Sequence, residues 1–269
     1  MNYSKVEIKY KAKSNLKGKE KEDQSLTSFF GRVGSKTRLK DKIYKQMPTD
    51  FKTYVEPYVG GGAVMLGYKF KPDHKIVIND LDKALISGWR KLKNPPSLAD
   101  ARKYNITNVE TLNRLKDSKG GGPLKELVKY LLASNNTFGS IGTGKVYKDT
   151  NPYNKLVKIP EYQKKLKNAT ILNQNAIGVI NKYNNADTFL FLDPPYENSN
   201  DLYDKGEINF EQLASTLRKF KGKFILSIND SRNIRNIFKG FKFRTITDGG
   251  SGNSGIGKSS RKELFIRNY

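Results

Sequence analysis

The sequence predicts an α/β protein built on a mostly parallel sheet with helices on both faces. Two observations carry that expectation. Short, continuously apolar runs recur along the chain, and stretches of helical period separate most of them. Several of these runs end in glycine, acid or proline, and an open parallel sheet gathers its ligands at such strand ends.

The first run, Thr53 to Val59, enters Gly60-Gly61-Gly62 and continues as an apolar segment from Ala63, the pattern of strand, glycine turn and helix. Lys75 to Asp80 predicts a second buried strand that ends in an acid. A helix over 82–93 follows, stopped by Asn94-Pro95-Pro96. Strand-like runs return at 169–173, 188–192, 223–228 and 263–267, with helical stretches at 174–183, 210–221 and 232–238. Residues 97–160 differ in texture. They are basic, rich in Asn and Gly, and read as an inserted, loop-rich subdomain with helical period only from Leu124 to Ala133. Residues 1–25 are polar and Lys-rich, a flexible arm suited to touching phosphates. The expected organisation is thus an arm (1–25), a core (26–96 and 161–269) and an insertion (97–160), without internal repeats.

Composition narrows the partners. A chain of 269 residues with 15 Tyr and 14 Phe can bury a sizeable core. Its 50 Lys and Arg against 26 Asp and Glu give a formal charge of +24, a field that concentrates polyanions. A Lys-rich surface inherited from an AT-rich genome is the bland alternative, but it does not demand that imbalance. Nucleic acid is the expected partner. With no cysteine, disulfides and thiolate metal sites are excluded, and His74 as the one histidine makes a zinc centre or a histidine triad implausible; no metal is expected. No apolar run reaches the length of a membrane span and no signal peptide opens the chain, so a soluble, intracellular protein is expected.

Three features fall at predicted strand ends. Glu56-Pro57-Tyr58-Val59-Gly60-Gly61-Gly62 lets backbone approach a ligand closely, and the helix that follows favours negative charge. Asp80, one strand later, is placed to accept both hydroxyls of a ribose. Together they point to an adenosine-containing cofactor. The spacing is not GxGxxG, and no Walker lysine-serine pair follows, so nicotinamide cofactors and ATP lose ground. The third feature is Asp193-Pro194-Pro195-Tyr196 after an apolar strand. Two prolines stiffen the exit from the sheet. They hold a carboxylate, a free carbonyl and an aromatic ring in fixed relation. Asp193 and the Pro194 carbonyl suit the two N–H groups of a base amine, and Tyr196 suits stacking on the base.

These motifs resemble the D12 class of N6-adenine DNA methyltransferases, the Dam-like family, over roughly residues 27–269. Asp193-Pro-Pro-Tyr196 is similar to its catalytic motif and Tyr54 to Gly62 to its cofactor motif. Asn79-Asp80 matches its acidic segment, Gly34-Ser35-Lys36 its N-terminal lysine element, Ser227-Ile-Asn229 its S-x-N stretch, and Arg261 to Tyr269 its closing strand. The motif order is that of the α group. The resemblance implies the class I S-adenosylmethionine-dependent methyltransferase fold, with a seven-stranded sheet and a small inserted target-recognition subdomain. It implies catalysis by Asp193, Pro194 and Tyr196, and S-adenosylmethionine at Lys36, Glu56, Pro57, Tyr58, Gly60, Gly62, Asp80, Asn175 and Asp193. It also implies double-stranded DNA as partner, bound by a monomer or a DNA-induced dimer. Ser134 to Phe138 and Gly142 to Tyr147 loosely match the family's target-reading segment, which nominates Asn136, Phe138 and Lys145 for DNA contact. Arg32 stands where an aromatic is common, and Asn175 where many members have Asp. An RNA base-amine methyltransferase and a nucleic-acid-binding protein without catalysis are the competing readings. Gly249 to Gly255 reads as a hairpin connection or, alternatively, a lid.

Overall fold

The computed structural model describes residues 26–32, 34–135, 145–146, 150–197, 208–247 and 262–269. The arm at 1–25, the glycine loop at 249–255, Asn136 and Phe138 lie outside them. A 3-10 turn, Lys36–Arg38, leads into α1 (Lys40–Tyr44). There follow β1 (Thr53–Glu56), α2 (Ala63–Gly67), β2 (Lys75–Asn79) and α3 (Lys83–Lys93). Next come α4 (Val109–Asp117), α5 (Gly122–Asn135), α6 (Tyr153–Leu156), α7 (Ile159–Leu166), β3 (Thr170–Leu172) and α8 (Ala176–Lys182). The chain closes with β4 (Thr188–Leu192), α9 (Phe210–Arg218), β5 (Lys223–Asn229), α10 (Arg232–Ile237), β6 (Lys242–Thr247) and β7 (Lys262–Arg267).

The seven strands form one sheet in the order β3-β2-β1-β4-β5-β7-β6. β1 to β5 pair in parallel, whereas β7 runs antiparallel to both β5 and β6. Strand order reverses between β1 and β4, and there both chains leave the sheet in the same direction. A crevice for ligands opens at such a switch point.

Period-two alternation decides which side each strand residue covers. Tyr54, Ile76, Ile78, Phe189, Phe191, Ile225 and Phe265 join one buried cluster with Trp89 of α3 and Tyr162 of α7. Val55, Val77, Leu190, Leu192, Leu226 and Leu264 face the other cluster, under α8, α9 and α10. A fully buried side chain of this size contributes roughly 1.5–3 kcal/mol, so both faces are strongly specified.

Two elements depart from the sequence reading. β6 carries Lys242, Phe243, Arg244 and Thr245 with only Ile246 buried, so it lacks the continuous apolar run of its neighbours. It needs none, because it is the outermost strand of the sheet. The stretch 97–160, expected to be loop-rich, is largely helical among its described residues. Leu112, Leu127, Val128, Leu131 and Leu156 are fully or almost fully buried and belong to the same cluster as Trp89 and Phe30.

Candidate active site

β1 delivers Glu56 into the protein at 2% exposure. The Tyr54 hydroxyl donates to Glu56 Oε2 at 2.7 Å, and the Met65 backbone N–H also donates to this carboxylate. Burial outweighs both and pushes the Glu56 carboxyl up to about 8, so it is mostly protonated at neutral pH. Pro57 is buried and Tyr58 half-buried beside it, and burial raises the Tyr58 phenol. The chain then turns on Gly60 and Gly62, with φ of +47° and +68°, a region that favours glycine. Gly62 N–H closes the turn on the Val59 carbonyl at 2.7 Å, and Trp89 Nε1 donates to the Gly60 carbonyl at 3.1 Å.

Gly61 is glycine for a steric reason. A Cβ there would lie 2.6 Å from the Phe30 carbonyl oxygen, which is backbone and cannot swing away. One at Gly60 would meet nothing nearer than Arg32 Cγ, at 4.0 Å. Gly61→Ala should therefore cost about 1–3 kcal/mol by overpacking, more than the strain of roughly 1–2 kcal/mol expected for Gly60→Ala. Thermal unfolding of the two variants checks that order, and the reverse order would show that the Phe30 backbone yields.

Asp80 follows β2 and folds back over the same turn. Its Oδ2 accepts from Gly60 N–H and its Oδ1 from Asp82 N–H, each at 3.0 Å. Burial raises its carboxyl, and these two donors oppose the rise. The neighbouring Asn79 is fully buried and rivets three strand ends together. Its Nδ2 donates to the carbonyls of Pro57 and Gln174, and its Oδ1 accepts from Gln174 N–H, all at 2.9 Å. Asn175 is exposed, and its side-chain oxygen caps α8 by accepting from Ile177 N–H at 2.9 Å. That leaves chiefly its amide N–H groups for a ligand.

Asp193 leaves β4 with about a fifth of its side chain exposed, and Lys36 Nζ lies 2.6 Å from its Oδ1. Lys36 is 4% exposed and also donates to the Gly34 carbonyl at 3.0 Å. Burial pushes the Asp193 carboxyl up to about 6, against the pull of Lys36, with Glu263 adding to the rise. Lys36 itself is held protonated by these neighbouring acids, despite its burial. Pro194 is buried, and Lys36 Nζ stands 5.0 Å from the centre of the Tyr196 ring. The structure thus gathers Lys36, Asp193 and Tyr196 at the end of β4, and Glu56, Pro57, Tyr58, Gly60, Gly62 and Asp80 at the ends of β1 and β2. Lys145 is exposed, and its neighbour Val146 is tied by its N–H to Asn113 of α4 at 2.9 Å.

Glu263 and Glu197 were not singled out from sequence, and Arg32 was noted only as a departure from the family pattern. Glu263 on β7 accepts from Tyr196 OH and from Ser227 Oγ, with Lys36 Nζ at 3.4 Å. The carboxylate of Glu197 accepts from Ser231 Oγ at 2.7 Å, from Asn233 Nδ2 at 2.6 Å and from Asn229. Arg32 pairs with Asp82 and donates to the Tyr130 hydroxyl of α5 at 3.2 Å. The pattern Ser227-Ile-Asn229 was the one available signal, since both of its polar side chains meet carboxylates of this group.

A sheet ordered β3-β2-β1-β4-β5-β7-β6, with β7 reversed, defines the class I S-adenosylmethionine-dependent methyltransferase fold. Within that class the chain belongs to the D12 class N6 adenine-specific DNA methyltransferase family, whose model matches residues 33–119 and 125–248. It is an adenine-specific DNA methyltransferase. Its relatives include the type II methyltransferase M.CviBI of Paramecium bursaria Chlorella virus NC1A, 23% identical over 77% of this chain and 85% of the relative. The type II methyltransferase M.MjaIII of Methanocaldococcus jannaschii is also 23% identical, over 80% of this chain and 88% of its own. A DNA adenine methylase of Haemophilus influenzae is 25% identical over 80% and 83% respectively.

Proposed function

We propose that the chain transfers the methyl group of S-adenosylmethionine to N6 of an adenine turned out of double-stranded DNA, and that Asp193, Pro194 and Tyr196 meet the base. One observation carries this reading: a half-buried carboxylate, ion-paired with a buried lysine, opens a proline-stiffened turn beside the glycine turn.

The residues at the switch point fit the cofactor. Each oxygen of Asp80 accepts one backbone N–H and keeps a lone pair suited to a ribose hydroxyl. Gly60 and Gly62 bring bare backbone to the ligand, the acids Asp80 and Asp193 suit a cationic sulfonium, and Glu56 lines the site as a buried, mostly neutral carboxyl. Lys36, Pro57, Tyr58 and Asn175 complete the proposed site. Bound there, S-adenosylmethionine supplies a methyl group on a good leaving group. The protein orients the acceptor. Asp193 and the Pro194 carbonyl take the two N–H groups of the amine, which turns its lone pair out of conjugation. Tyr196 stacks on the base, and the Asp193 charge supports the positive charge that develops on N6. Extruding the base costs a few kcal/mol, offset by stacking and by phosphate contacts from the basic surface. Residues 97–160 read the target, with Asn136, Phe138 and Lys145 at the DNA.

Incubation with methyl-labelled S-adenosylmethionine and either duplex DNA or structured RNA tests this. Label should appear as N6-methyladenine in DNA; label confined to RNA ends the reading. DNA affinity should fall on the order of 10³-fold or more between 50 and 200 mM salt. Among the described residues no helix is long and apolar enough to cross a membrane, and no cluster of three metal-ligating side chains occurs.

A further inference from the structure

The turn Asp193 to Tyr196 has an anchoring problem. Pro194 and Pro195 carry no amide hydrogen, so two of the four residues of the turn cannot donate to the sheet. Side chains add the holding contacts. Lys36 grips Asp193 at 2.6 Å at the near end. At the far end Glu197 is held by Ser231 and Asn233, and the Tyr196 hydroxyl donates to Glu263.

We propose that Glu263 is a positioning residue for methyl transfer, fixing the ring of Tyr196 and sharing Lys36 with Asp193 through one carboxylate oxygen. It rests on the reading of Asp193 and Tyr196 given above. Glu263 is 7% exposed, and a carboxylate buried so deeply is costly unless partnered. Its Oε1 takes the Tyr196 hydroxyl, the Ser227 hydroxyl at 2.5 Å and Lys36 Nζ at 3.4 Å. The antiparallel register explains the meeting. Asn229 pairs with Glu263 and Ser227 with Phe265, so Ser227 and Glu263 share one face of the sheet. The reversed strand β7 thereby carries an acid to the end of β4, a strand it does not touch in the sheet.

Glu263 also sets how much of the Lys36 charge reaches Asp193. The charged and titratable groups facing Asp193 are Lys36, Tyr196, Glu263 and Glu56. Neutralising Glu263 removes a repulsion and leaves Lys36 to Asp193 alone, so Asp193 becomes more acidic. Removing the Tyr196 hydroxyl frees Glu263 to draw Lys36 away, so Asp193 becomes less acidic. The two changes move the same group in opposite directions.

The test is the pH profile of kcat/KM for adenine methylation in wild type, Glu263→Gln, Tyr196→Phe and the double variant, with folding checked by thermal melting. Wild type should lose activity as pH falls through about 6, where Asp193 protonates. That limb should move down by ~0.5 pH unit or more in Glu263→Gln and up in Tyr196→Phe. Each should lose roughly 5–30-fold in kcat with the KM for DNA little changed, and the double variant should be no worse than the poorer single. Unmoved limbs with additive losses would reduce Glu263 to a structural residue and overturn the proposal. Should Glu263→Gln fail to fold, Tyr196→Phe decides alone: an unchanged kcat and limb overturn the proposal. A wild type that methylates no adenine would instead refute the reading beneath it.

Discussion

Asp193→Ala should lower methyl transfer by ~10³-fold or more while leaving a folded, DNA-binding protein. The variant lacks both the acceptor for the amine and the negative charge that meets developing charge on N6. Its fold should survive, because burial already disfavours the ionised Asp193 and Lys36 keeps Glu263 as a partner. The sign follows from the raised carboxyl. Between the unfolded value of 3.8 and the folded value of about 6, the folded protein binds the extra proton, so this group lowers stability as pH rises through that window. Removing it removes that penalty. Quantifying N6-methyladenine beside a DNA mobility shift checks the prediction. Equal, negligible transfer by wild type and variant, with equal DNA binding, would point to a binding protein without catalysis.

Lys36→Met should have the second largest effect and a different signature. It leaves Asp193 and Glu263 in one site without their shared cation. Breaking a buried pair costs about 3–5 kcal/mol, and the partial exposure of Asp193 brings the expectation to about 2–4 kcal/mol. That corresponds to a melting temperature lower by about 5–10 °C. The deficit should shrink as pH falls toward about 6, because without Lys36 the Asp193 carboxyl takes up its proton at higher pH than in wild type. Activity should fall by about 10²-fold at neutral pH. Its acid limb should shift upward, because the pull of Lys36 on Asp193 is gone. A limb that stays in place would show that Lys36 does not set the charge state of Asp193.

Much of the sheet was legible because its inner strands are buried on both faces and so read as continuous apolar runs. Thr188 to Leu192 is buried at every position. β6 was not, because the outermost strand alternates with solvent and its Lys, Arg and Thr resemble a loop. Within 97–160 the period of Leu124 to Ala133 was legible and is α5, whereas α4 and α6 were hidden among the glycine and asparagine of the stretch. Gly120, Gly121 and Gly122 do adopt positive φ, but they sit just before and at the start of a fourteen-residue helix, not within a coil. At the site, Asp193, Gly60 and Asp80 announce themselves through residue types that strand ends rarely carry by chance. Glu263 does not. It opens an apolar strand, where an acid reads as a solvated start, and only the pairing of β5 with β7 brings it to Ser227.

The cluster shared by residues 97–160, the proposed target reader, has a consequence for how new specificities would arise. Phe30 packs edge-on against Trp89 of the core and Tyr130 of α5, with centroids 5.7 and 5.1 Å away, while Arg32 ties Tyr130 to Asp82. Residues 97–160 are therefore no cassette. A chimera that transplants this segment whole from a relative inherits ill-fitting partners for Phe30 and Trp89, within one residue-length of the glycine turn. Grafts confined to surface tips, leaving Leu127, Tyr130 and Leu131 in place, keep the joint intact and free the periphery to vary.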